Sequence, residues 1–386
     1  MATANRTNWL NSLAWQVGFY LRTGSARRHD PEFEWRPYEH SRSGRLLDTR
    51  RAWRSLLHRL GLRDRPPMTL DWLHENAGLL WDTRSMLADD LSRLMFDSSL
   101  VVRLTSHRRY YFPRIDFDDL LEISASRAFE EPGFPHDYLG VPLGVFDVRF
   151  RDRPEQPALK VITREIQLRL VNSYRQYLVR RNGFDISPVA GDVVLDCGAC
   201  IGEVSMLFAG LTAPGGEVHL FDPIPLHTRF CQLQASLNPA FADMIHVNTM
   251  AAGDSTHDAR ATLPNSLEIV PSAVSSDDFA CTTLDDYVAK GVRRVDFIKM
   301  DIEGAEIAAL NGASAVIREF RPRLAISGYH KPQDLWEIPN KLKDLNPDYV
   351  LAFGHHTPII WESVFYAVDP SARERAGSGS RSRGGG

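Results

Sequence analysis

The pattern of apolar and polar positions is clearest around residue 195, where it predicts a buried strand followed by a helix. Val193 to Asp196 opens with apolar, β-branched residues, as a buried parallel strand does. Apolar residues return at helical spacing between Glu203 and Leu211. A loop of small residues, including Gly198 and Gly202, joins the two segments. This strand–turn–helix order is typical of a nucleotide-type cofactor site.

Predicted strands and helices continue to alternate toward the C-terminus, which predicts an α/β fold. The further predicted strands are Glu217–Asp222, Met244–Met250, Val295–Asp301, Arg323–Ser327, Tyr349–Gly354 and Ser363–Val368. The predicted helices between them include His227–Leu237, a helix capped by Thr283, Ala305–Leu310 and Leu335–Leu345. Because no helical pattern separates the last two strands, we expect a mostly parallel, Rossmann-like sheet with one antiparallel strand near the C-terminus.

The chain before this sheet has a different pattern. Apolar residues at helical spacing predict helices at Arg51–Leu60, Leu70–Leu79, Ser85–Phe96 and Arg164–Arg180, with short strands in Leu139–Phe150. We therefore expect three parts: a mainly helical, accessory N-terminal region (1–185), a domain built on the sheet (186–368), and a disordered Gly/Ser/Arg tail (369–386).

Composition narrows the class of protein. The 386 residues carry a net charge of −4 and are 43% hydrophobic, which is ordinary for a soluble globular protein and argues against nucleic-acid binding. No apolar run is long enough to span a bilayer, and no signal peptide is evident, so a cytoplasmic location is expected. The four cysteines do not suggest a disulfide framework, and Cys197 and Cys200 are interpreted as small-residue filling of the turn.

The glycine turn does not have the spacing of a dinucleotide phosphate loop. A G-x-G-x-x-G motif would need glycines where Cys200 and Glu203 stand, and Glu203 would repel a pyrophosphate. An acid at the strand end suits a ribose or an ammonium group instead. Asp222, at the end of the second strand, is placed to accept ribose hydroxyls. An ordinary tight βα turn remains the alternative interpretation.

Candidate catalytic residues follow the fourth predicted strand. Lys299 and Asp301 alternate along it and so share one side, with Asp301 at the carboxyl end where open α/β sheets bind ligands. Asp301 suits either a general base or a group that holds an acceptor hydroxyl. His330 is a second candidate base. Glu303 also belongs to the catalytic set, although acids here can simply complement a helix dipole or pair with Lys299.

Four blocks of sequence resemble the FkbM family of S-adenosylmethionine-dependent methyltransferases. They are Gly191–Ala199 with Gly202, Phe221–Pro223, Thr283–Asp286 and Lys299–Glu306, and the last is the most specific. The segment from Tyr329 to Pro339 resembles a subset of that family. One departure is that many members have Glu where this chain has Asp222.

The resemblance implies a class I methyltransferase that uses S-adenosylmethionine and methylates an oxygen of a sugar, polysaccharide or natural product. The residues expected to bind the cofactor are Asp196, Gly198, Ala199, Gly202, Asp222, Ala251 and Ala252. Expected partners are a small-molecule or saccharide acceptor, with no nucleic acid.

Two other functions stay open, a nicotinamide-dependent oxidoreductase on a similar sheet and a non-catalytic binding module. A metal held by Asp301 and His330 is conceivable, but none is expected because no second carboxylate ends the fifth strand.

Overall fold

The computed structural model describes residues 2–23, 68–105, 110, 112, 117–138, 140–181, 184–259, 278–357 and 359–371. These residues fall into two compact units. The first comprises Met1–Ile115 with Phe353–Ser363, and the second comprises Asp116–Ala352 with Val364–Gly386. The division therefore lies well before the predicted boundary at 185/186. Most of the predicted tail, 372–386, lies outside the described residues.

The described residues 2–23 and 68–105 of the N-terminal unit are largely helical, as the apolar spacing predicts for residues 70–96. Its helices are α1 (Ala2–Thr23), α2 (Leu70–Glu75), α3 (Ala77–Met86) and α4 (Asp90–Thr105). Asp97 of α4 ties three of them together, because it accepts hydrogen bonds from the Trp9 indole and the Arg84 guanidinium. The predicted helix Arg51–Leu60 lies outside the described residues. Across the described ranges, each helix is too short or too polar to pass through a bilayer.

The expectation of a mainly helical region is wrong for residues 117–185, where strands predominate. The strands are β1 (Leu121–Ala128), β2 (Asp137–Tyr138), β3 (Val141–Pro142), β4 (Gly144–Phe150) and β5 (Leu159–Thr163). Strands β1, β4 and β5 form an antiparallel sheet with β4 in the middle.

The helix predicted at Arg164–Arg180 is shorter than expected. It forms only as α5 (Glu165–Asn172) and is followed by the short strands β6 (Arg180–Arg181) and β7 (Phe184–Asp185). Arg175 and Tyr177 have left-handed backbones, with φ of 56° and 64°, which a right-handed helix cannot contain. Asn172, the last residue of α5, accepts the backbone N–H of Leu121 at 2.7 Å and so ties the helix end to β1.

The second unit is built on a seven-stranded sheet that confirms the predicted α/β fold. The remaining strands are β8 (Val193–Cys197), β9 (Glu217–Phe221), β10 (Ile245–Asn248), β11 (Ala251–Ala252), β12 (Cys281–Thr282), β13 (Phe297–Met300), β14 (Arg323–Ser327), β15 (Val350–His355) and β16 (Ser363–Val368). The sheet order is β10-β9-β8-β13-β14-β16-β15. Strand β16 runs antiparallel to β14, whereas neighbouring strands from β10 to β14 pair in parallel. The reversed strand therefore lies where the sequence predicts it.

Helices alternate with these strands, as right-handed crossovers require. They are α6 (Glu203–Thr212), α7 (Pro225–Leu237), α8 (Leu284–Ala289), α9 (Glu306–Asn311), α10 (Ser314–Phe320) and α11 (Asp334–Leu345). A short 3₁₀ turn, Ala242–Met244, precedes β10. Thr283 caps α8 as expected, accepting the N–H of Asp286.

Helix α6 is buried on every side, which fixes its N-terminus beside the glycine turn. All ten of its residues are buried. A Cβ on Gly210 would overlap the Phe150 ring of β4, and Gln156 donates to the Gly210 carbonyl at 2.7 Å. The small antiparallel sheet therefore covers the side of α6 that would otherwise meet solvent, and this explains why the helix is apolar all round.

Candidate active site

The turn between β8 and α6 is held in shape by the packing of the protein itself. Gly198 and Gly202 have left-handed backbones with φ of 81° and 88°, and Cys200 between them has φ of 51°. A Cβ on Gly198 would overlap the carbonyl oxygen of Asp301, and one on Gly202 would lie 3.0 Å from Cys231 Sγ. Both glycines are therefore required by internal contacts. Whether they also admit a ligand stays a prediction.

Asp196 and Lys299 form a buried ion pair beneath this turn. Lys299 Nζ lies 3.0 Å from Asp196 Oδ1 and donates to the Gly198 carbonyl at 2.6 Å. Ser205 of α6 donates to the other oxygen of Asp196 at 2.6 Å. Burial lowers the pKa of Lys299, but the carboxylates of Asp196 and Asp301 outweigh it and raise that pKa overall. The ammonium stays charged and holds β8, β13 and the turn together.

Asp222 faces the same turn from the end of β9. Its Oδ2 accepts the N–H of Cys200 at 3.0 Å, and its Oδ1 accepts the N–H of Ile224 at 2.9 Å and lies 3.0 Å from His227 Nδ1. A carboxylate oxygen has two acceptor positions. Among the described residues, Oδ2 therefore keeps one position for a further donor, although the side chain is only 7% exposed.

The small residues expected near the cofactor lie on neighbouring elements. Ala199 is buried in the turn and its N–H donates to the Phe221 carbonyl at 3.1 Å. Ala251 and Ala252 form β11, which pairs in parallel with Cys281 and Thr282 of β12. Ala251 keeps part of its surface exposed, whereas Ala252 is buried.

Asp301 lies directly after β13 and is held by two tyrosine hydroxyls that sequence reasoning missed. Tyr177 donates to its Oδ2 at 2.8 Å and Tyr329 donates to its Oδ1 at 3.0 Å. Burial raises the pKa of Asp301, but His330, Lys299 and the two tyrosines outweigh it and lower that pKa overall. The carboxylate is therefore ionised at neutral pH. Its side chain is 22% exposed, so it remains accessible to a ligand.

His330 lies between carboxylates. Its Nδ1 is 2.9 Å from Glu306 Oε1, and its Nε2 is 3.5 Å from Asp301 Oδ1 and 3.6 Å from Glu303 Oε2. Burial lowers the pKa of His330, but the three acids outweigh it and raise that pKa to about 9. At neutral pH the ring is an imidazolium, which has no lone pair to accept a proton.

Glu303 and Glu306 differ although both follow Asp301. Glu303 is 78% exposed and has a left-handed backbone with φ of 56°. Glu306 is 1% exposed, and its Oε1 accepts the N–H of Ile302 at 2.9 Å in addition to facing His330. Glu306 thus fixes the loop and the imidazolium, a contact that spacing alone does not reveal.

Asp301, Glu306 and His330 also form a geometrically possible metal cluster, because their ligand atoms lie within 4.8 Å of one another. The second carboxylate comes from α9 rather than from the end of β14, where the sequence analysis looked for it. A metal would need the lone pair of His330 and would have to displace the proton that the raised pKa of that ring favours. Without an ion the cluster is a carboxylate–imidazolium–carboxylate arrangement, and the expectation of no metal stays a prediction.

Strand order, the glycine turn and acids at the ends of β9 and β13 together define a class I methyltransferase fold. The sequence profile of the methyltransferase FkbM domain matches residues 196–351. This range contains the turn, Asp222, Asp301 and His330. The match confirms the resemblance to the FkbM family, and the cofactor of this class is S-adenosylmethionine.

One solved structure supports the fold. The chain is similar to a methyltransferase FkbM from Methylobacillus flagellatus KT, with 24% identity and a TM-score of 0.51 over 76% of this chain and 59% of that one. The chain thus spans little more than half the length of that protein. A weaker likeness links it to fibrillarin from Aeropyrum pernix, crystallised with S-adenosyl-L-methionine, at 13% identity and a TM-score of 0.34 over 64% and 99% of the two chains. Among curated proteins no match is found.

Proposed function

We propose that this protein is an S-adenosylmethionine-dependent O-methyltransferase that acts on a hydroxyl of a sugar, polysaccharide or natural product. The observation that carries the proposal is the position of Asp301. Its ionised, partly exposed carboxylate lies at the carboxyl end of β13, and its backbone carbonyl packs against Gly198 of the turn. A group able to hold an acceptor hydroxyl thus adjoins the turn expected to hold the methyl donor.

The residues around the turn fit the cofactor. Asp222 accepts the N–H of Cys200 and keeps a second acceptor position on Oδ2 for a ribose hydroxyl. Ala251 carries only a methyl group and keeps part of its surface exposed, so a flat ligand group can lie against it, whereas Ala199 and Ala252 are buried. Asp196 is committed to Lys299, so its role is to orient the turn. When bound, S-adenosylmethionine supplies an electrophilic methyl group on a sulfonium.

Asp301 acts on the acceptor. Its Oδ2 receives one hydrogen bond from Tyr177 and has a second acceptor position for the hydroxyl of the substrate. With the cofactor bound, the acceptor oxygen would take the methyl group as the methyl–sulfur bond breaks and its electron pair stays on sulfur, and Asp301 would accept the hydroxyl proton. Because the pKa of Asp301 is lowered, the proton then moves on to solvent. Lys299 and His330 contribute by keeping Asp301 ionised, rather than by accepting the proton themselves.

The class of acceptor rests on the FkbM resemblance. A neutral hydroxyl compound suits a site whose reactive group is a carboxylate, because an anionic substrate would be repelled. We therefore predict a small-molecule or saccharide acceptor. A cytoplasmic location is a separate prediction.

The test measures transfer of a radiolabelled methyl group from S-adenosylmethionine to a panel of sugars and natural-product alcohols. We expect the wild type to label an acceptor, and mass spectrometry of the product should place the methyl group on oxygen. Asp301→Asn should reduce turnover by about 10²- to 10⁴-fold, the range for loss of a positioned proton acceptor, while binding of S-adenosylmethionine measured by calorimetry persists. Asp344→Asn, on the exposed face of α11, is the matched control and should retain activity.

Three results would contradict the proposal. Equal turnover by wild type and Asp301→Asn would exclude Asp301 from the reaction. Binding of NAD in place of S-adenosylmethionine would favour an oxidoreductase, and cofactor binding without labelling of any acceptor in the panel or in a cell extract would favour a non-catalytic module.

A further inference from the structure

A second cluster of metal-ligating residues lies at the other end of the sheet. Glu217 and His219 are two residues apart on β9, so their side chains project from the same face. His246 of β10 pairs directly with His219 in the parallel register. Three ligand-bearing side chains from two neighbouring strands therefore share one patch, which we call the β9–β10 cluster.

This cluster is separate from the candidate active site. Glu217 is the first residue of β9, and Asp222 follows the last. At a rise of about 3.3 Å per residue, the two ends of this stretch are roughly 16 Å apart. Nothing in the proposed methyl transfer uses Glu217, His219 or His246.

The distances between the donor atoms match those between ligands of a single small cation. Glu217 Oε2 lies 3.1 Å from His219 Nε2 and 3.3 Å from His246 Nε2, and all three ligand atoms fall within 4.8 Å of one another. Zinc–nitrogen bonds of about 2.0–2.1 Å at tetrahedral angles place neighbouring donor atoms roughly 3.3 Å apart. Little rearrangement is needed to bring the three donors onto one ion.

A second observation concerns the His246 ring. Its Nε2 is buried and makes no hydrogen bond of acceptable geometry among the described residues. Buried polar atoms normally have a partner, so an unsatisfied ring nitrogen that faces a carboxylate needs an explanation. The two imidazoles stack with centroids 4.4 Å apart and planes 15° apart, which turns both Nε2 atoms toward Glu217.

We propose that Glu217, His219 and His246 form a binding site for a divalent transition-metal ion, with zinc as the ion that fits the donor set. Two imidazoles and a carboxylate supply three ligands, and the fourth position remains for water or a carboxylate from solution. The side chains of Glu217 and His246 are 50% and 42% exposed, so an ion can enter from solvent, whereas His219 is 6% exposed and fixes the inner ligand.

Tyr287 of α8 is the outer partner of this site. Its hydroxyl lies 2.9 Å from His219 Nδ1. When Nδ1 carries the proton and donates to Tyr287, the lone pair of Nε2 is directed at the metal position, which is the arrangement that metal-ligating histidines adopt. Tyr287 is thus a positioning residue rather than a ligand.

The experiment uses the full-length, untagged protein after treatment with a chelator. Isothermal calorimetry with ZnCl₂ and visible absorption with CoCl₂ report the number of ions bound and their coordination. We expect His246→Gln and Glu217→Gln each to weaken zinc affinity at the site by more than about tenfold and to remove the corresponding cobalt absorption. Tyr287→Phe should weaken affinity by about 10-fold or more while leaving the stoichiometry unchanged.

Two control variants separate this site from other histidines. His330→Gln removes the histidine of the Asp301 cluster, and His74→Gln removes an exposed histidine of α2. Both should bind zinc at the β9–β10 cluster as the wild type does. The proposal is overturned if His246→Gln and Glu217→Gln, shown to be folded by circular dichroism, bind zinc with unchanged affinity and stoichiometry, or if the wild type binds no zinc. Loss of the ion in His330→Gln alone would assign the metal to the other cluster and also contradict the proposal.

Discussion

Gly198 packs so closely against Asp301 that a Cβ atom at position 198 would overlap the carbonyl oxygen of Asp301. This contact joins the turn after β8 to the loop after β13, two neighbouring strands of the sheet. The turn and the loop depend on each other. The turn fixes the position of the Asp301 backbone, and that backbone leaves no room for a side chain at position 198. The turn and the candidate catalytic carboxylate therefore form one structural unit.

The first prediction tests this contact by Gly198→Ala. We expect the free energy of unfolding to fall by at least about 2 kcal/mol, because alanine at φ of 81° is strained and its methyl group also displaces Asp301. Urea denaturation monitored by circular dichroism measures the change.

Gly191→Ala is the matched control for Gly198→Ala. Gly191 has φ of 85°, but a Cβ there would meet nothing within 4 Å. In this variant the free energy of unfolding should fall only by the cost of placing alanine in a left-handed backbone conformation, roughly 1–2 kcal/mol. Equal losses in the two variants would show that the contact with Asp301 adds nothing.

The second prediction concerns the buried pair of Lys299 and Asp196. Lys299→Met leaves the Asp196 carboxylate buried without its cation, so the free energy of unfolding should fall by about 3–5 kcal/mol. The double variant Lys299→Met/Asp196→Asn should recover part of this loss, because it removes the uncompensated charge. Chemical denaturation of the three proteins provides the measurement.

Lys160→Met is the control for the second prediction. Lys160 pairs with Asp147 at the similar distance of 2.9 Å, but both side chains are more than a third exposed. Such surface pairs contribute less than about 1 kcal/mol. A loss at Lys299 no larger than the loss at Lys160 would contradict a structural role for the buried pair.

The sheet was predictable because its strands are buried and carry an unambiguous pattern. Arg323–Ser327 and Ser363–Val368 form with the bounds that the sequence predicts, and Glu203–Thr212 differs by one residue. The pattern fails at Tyr177, where a broad apolar face continues past the point at which left-handed residues end the helix. Nothing local in the sequence marks Arg175 or Tyr177 as left-handed, since glycine or asparagine is the usual signal.

The positions of the candidate residues in the fold were predictable from the sequence, but their contacts were not. Asp301, Asp222 and the turn could be located from strand ends, because parallel strands present their carboxyl ends at one edge. The partner of Lys299 could not be located in this way. Its position favoured pairing with Glu303 or Glu306, but the ammonium pairs with Asp196 on the neighbouring strand. Tyr329 belongs to a block that carries the family resemblance, but its bond to Asp301 depends on tertiary structure.

The third prediction concerns the tyrosines that hold Asp301. Tyr177→Phe and Tyr329→Phe each remove a hydrogen bond to the ionised carboxylate, so the pKa of Asp301 should rise. Loss of one hydrogen bond to a charged group should shift the pKa of that group by about one unit. The acid limb of the kcat/KM profile for methyl transfer should therefore move to higher pH in both variants.

Tyr349→Phe is the control for the third prediction. The hydroxyl of Tyr349 is also buried, but it donates to the carbonyl of Pro322 at 2.7 Å and does not contact Asp301. This variant should lose stability without a change in the acid limb. An unmoved acid limb in both Tyr177→Phe and Tyr329→Phe would show that Asp301 does not control the reaction.

The last prediction follows from the raised pKa of His330. The pKa is about 9 in the folded protein against an ordinary value of 6.5, because Glu306, Asp301 and Glu303 stabilise the imidazolium more than burial opposes it. The contribution of His330 to stability is therefore complete below pH 6.5 and is lost as the pH rises through 9. Between these values the free energy of unfolding should fall by an amount on the order of 1–3 kcal/mol.

Urea denaturation at several pH values between 6 and 10 measures this loss, and NMR of the His330 ring measures its pKa directly. In His330→Gln, the fall in stability over the same pH range should be smaller, because glutamine does not titrate. A pKa near 6.5 in the folded wild type would restore His330 as a proton acceptor at neutral pH. It would also remove the main reason for assigning that role to Asp301, because the imidazolium is the largest single contribution that lowers the pKa of Asp301.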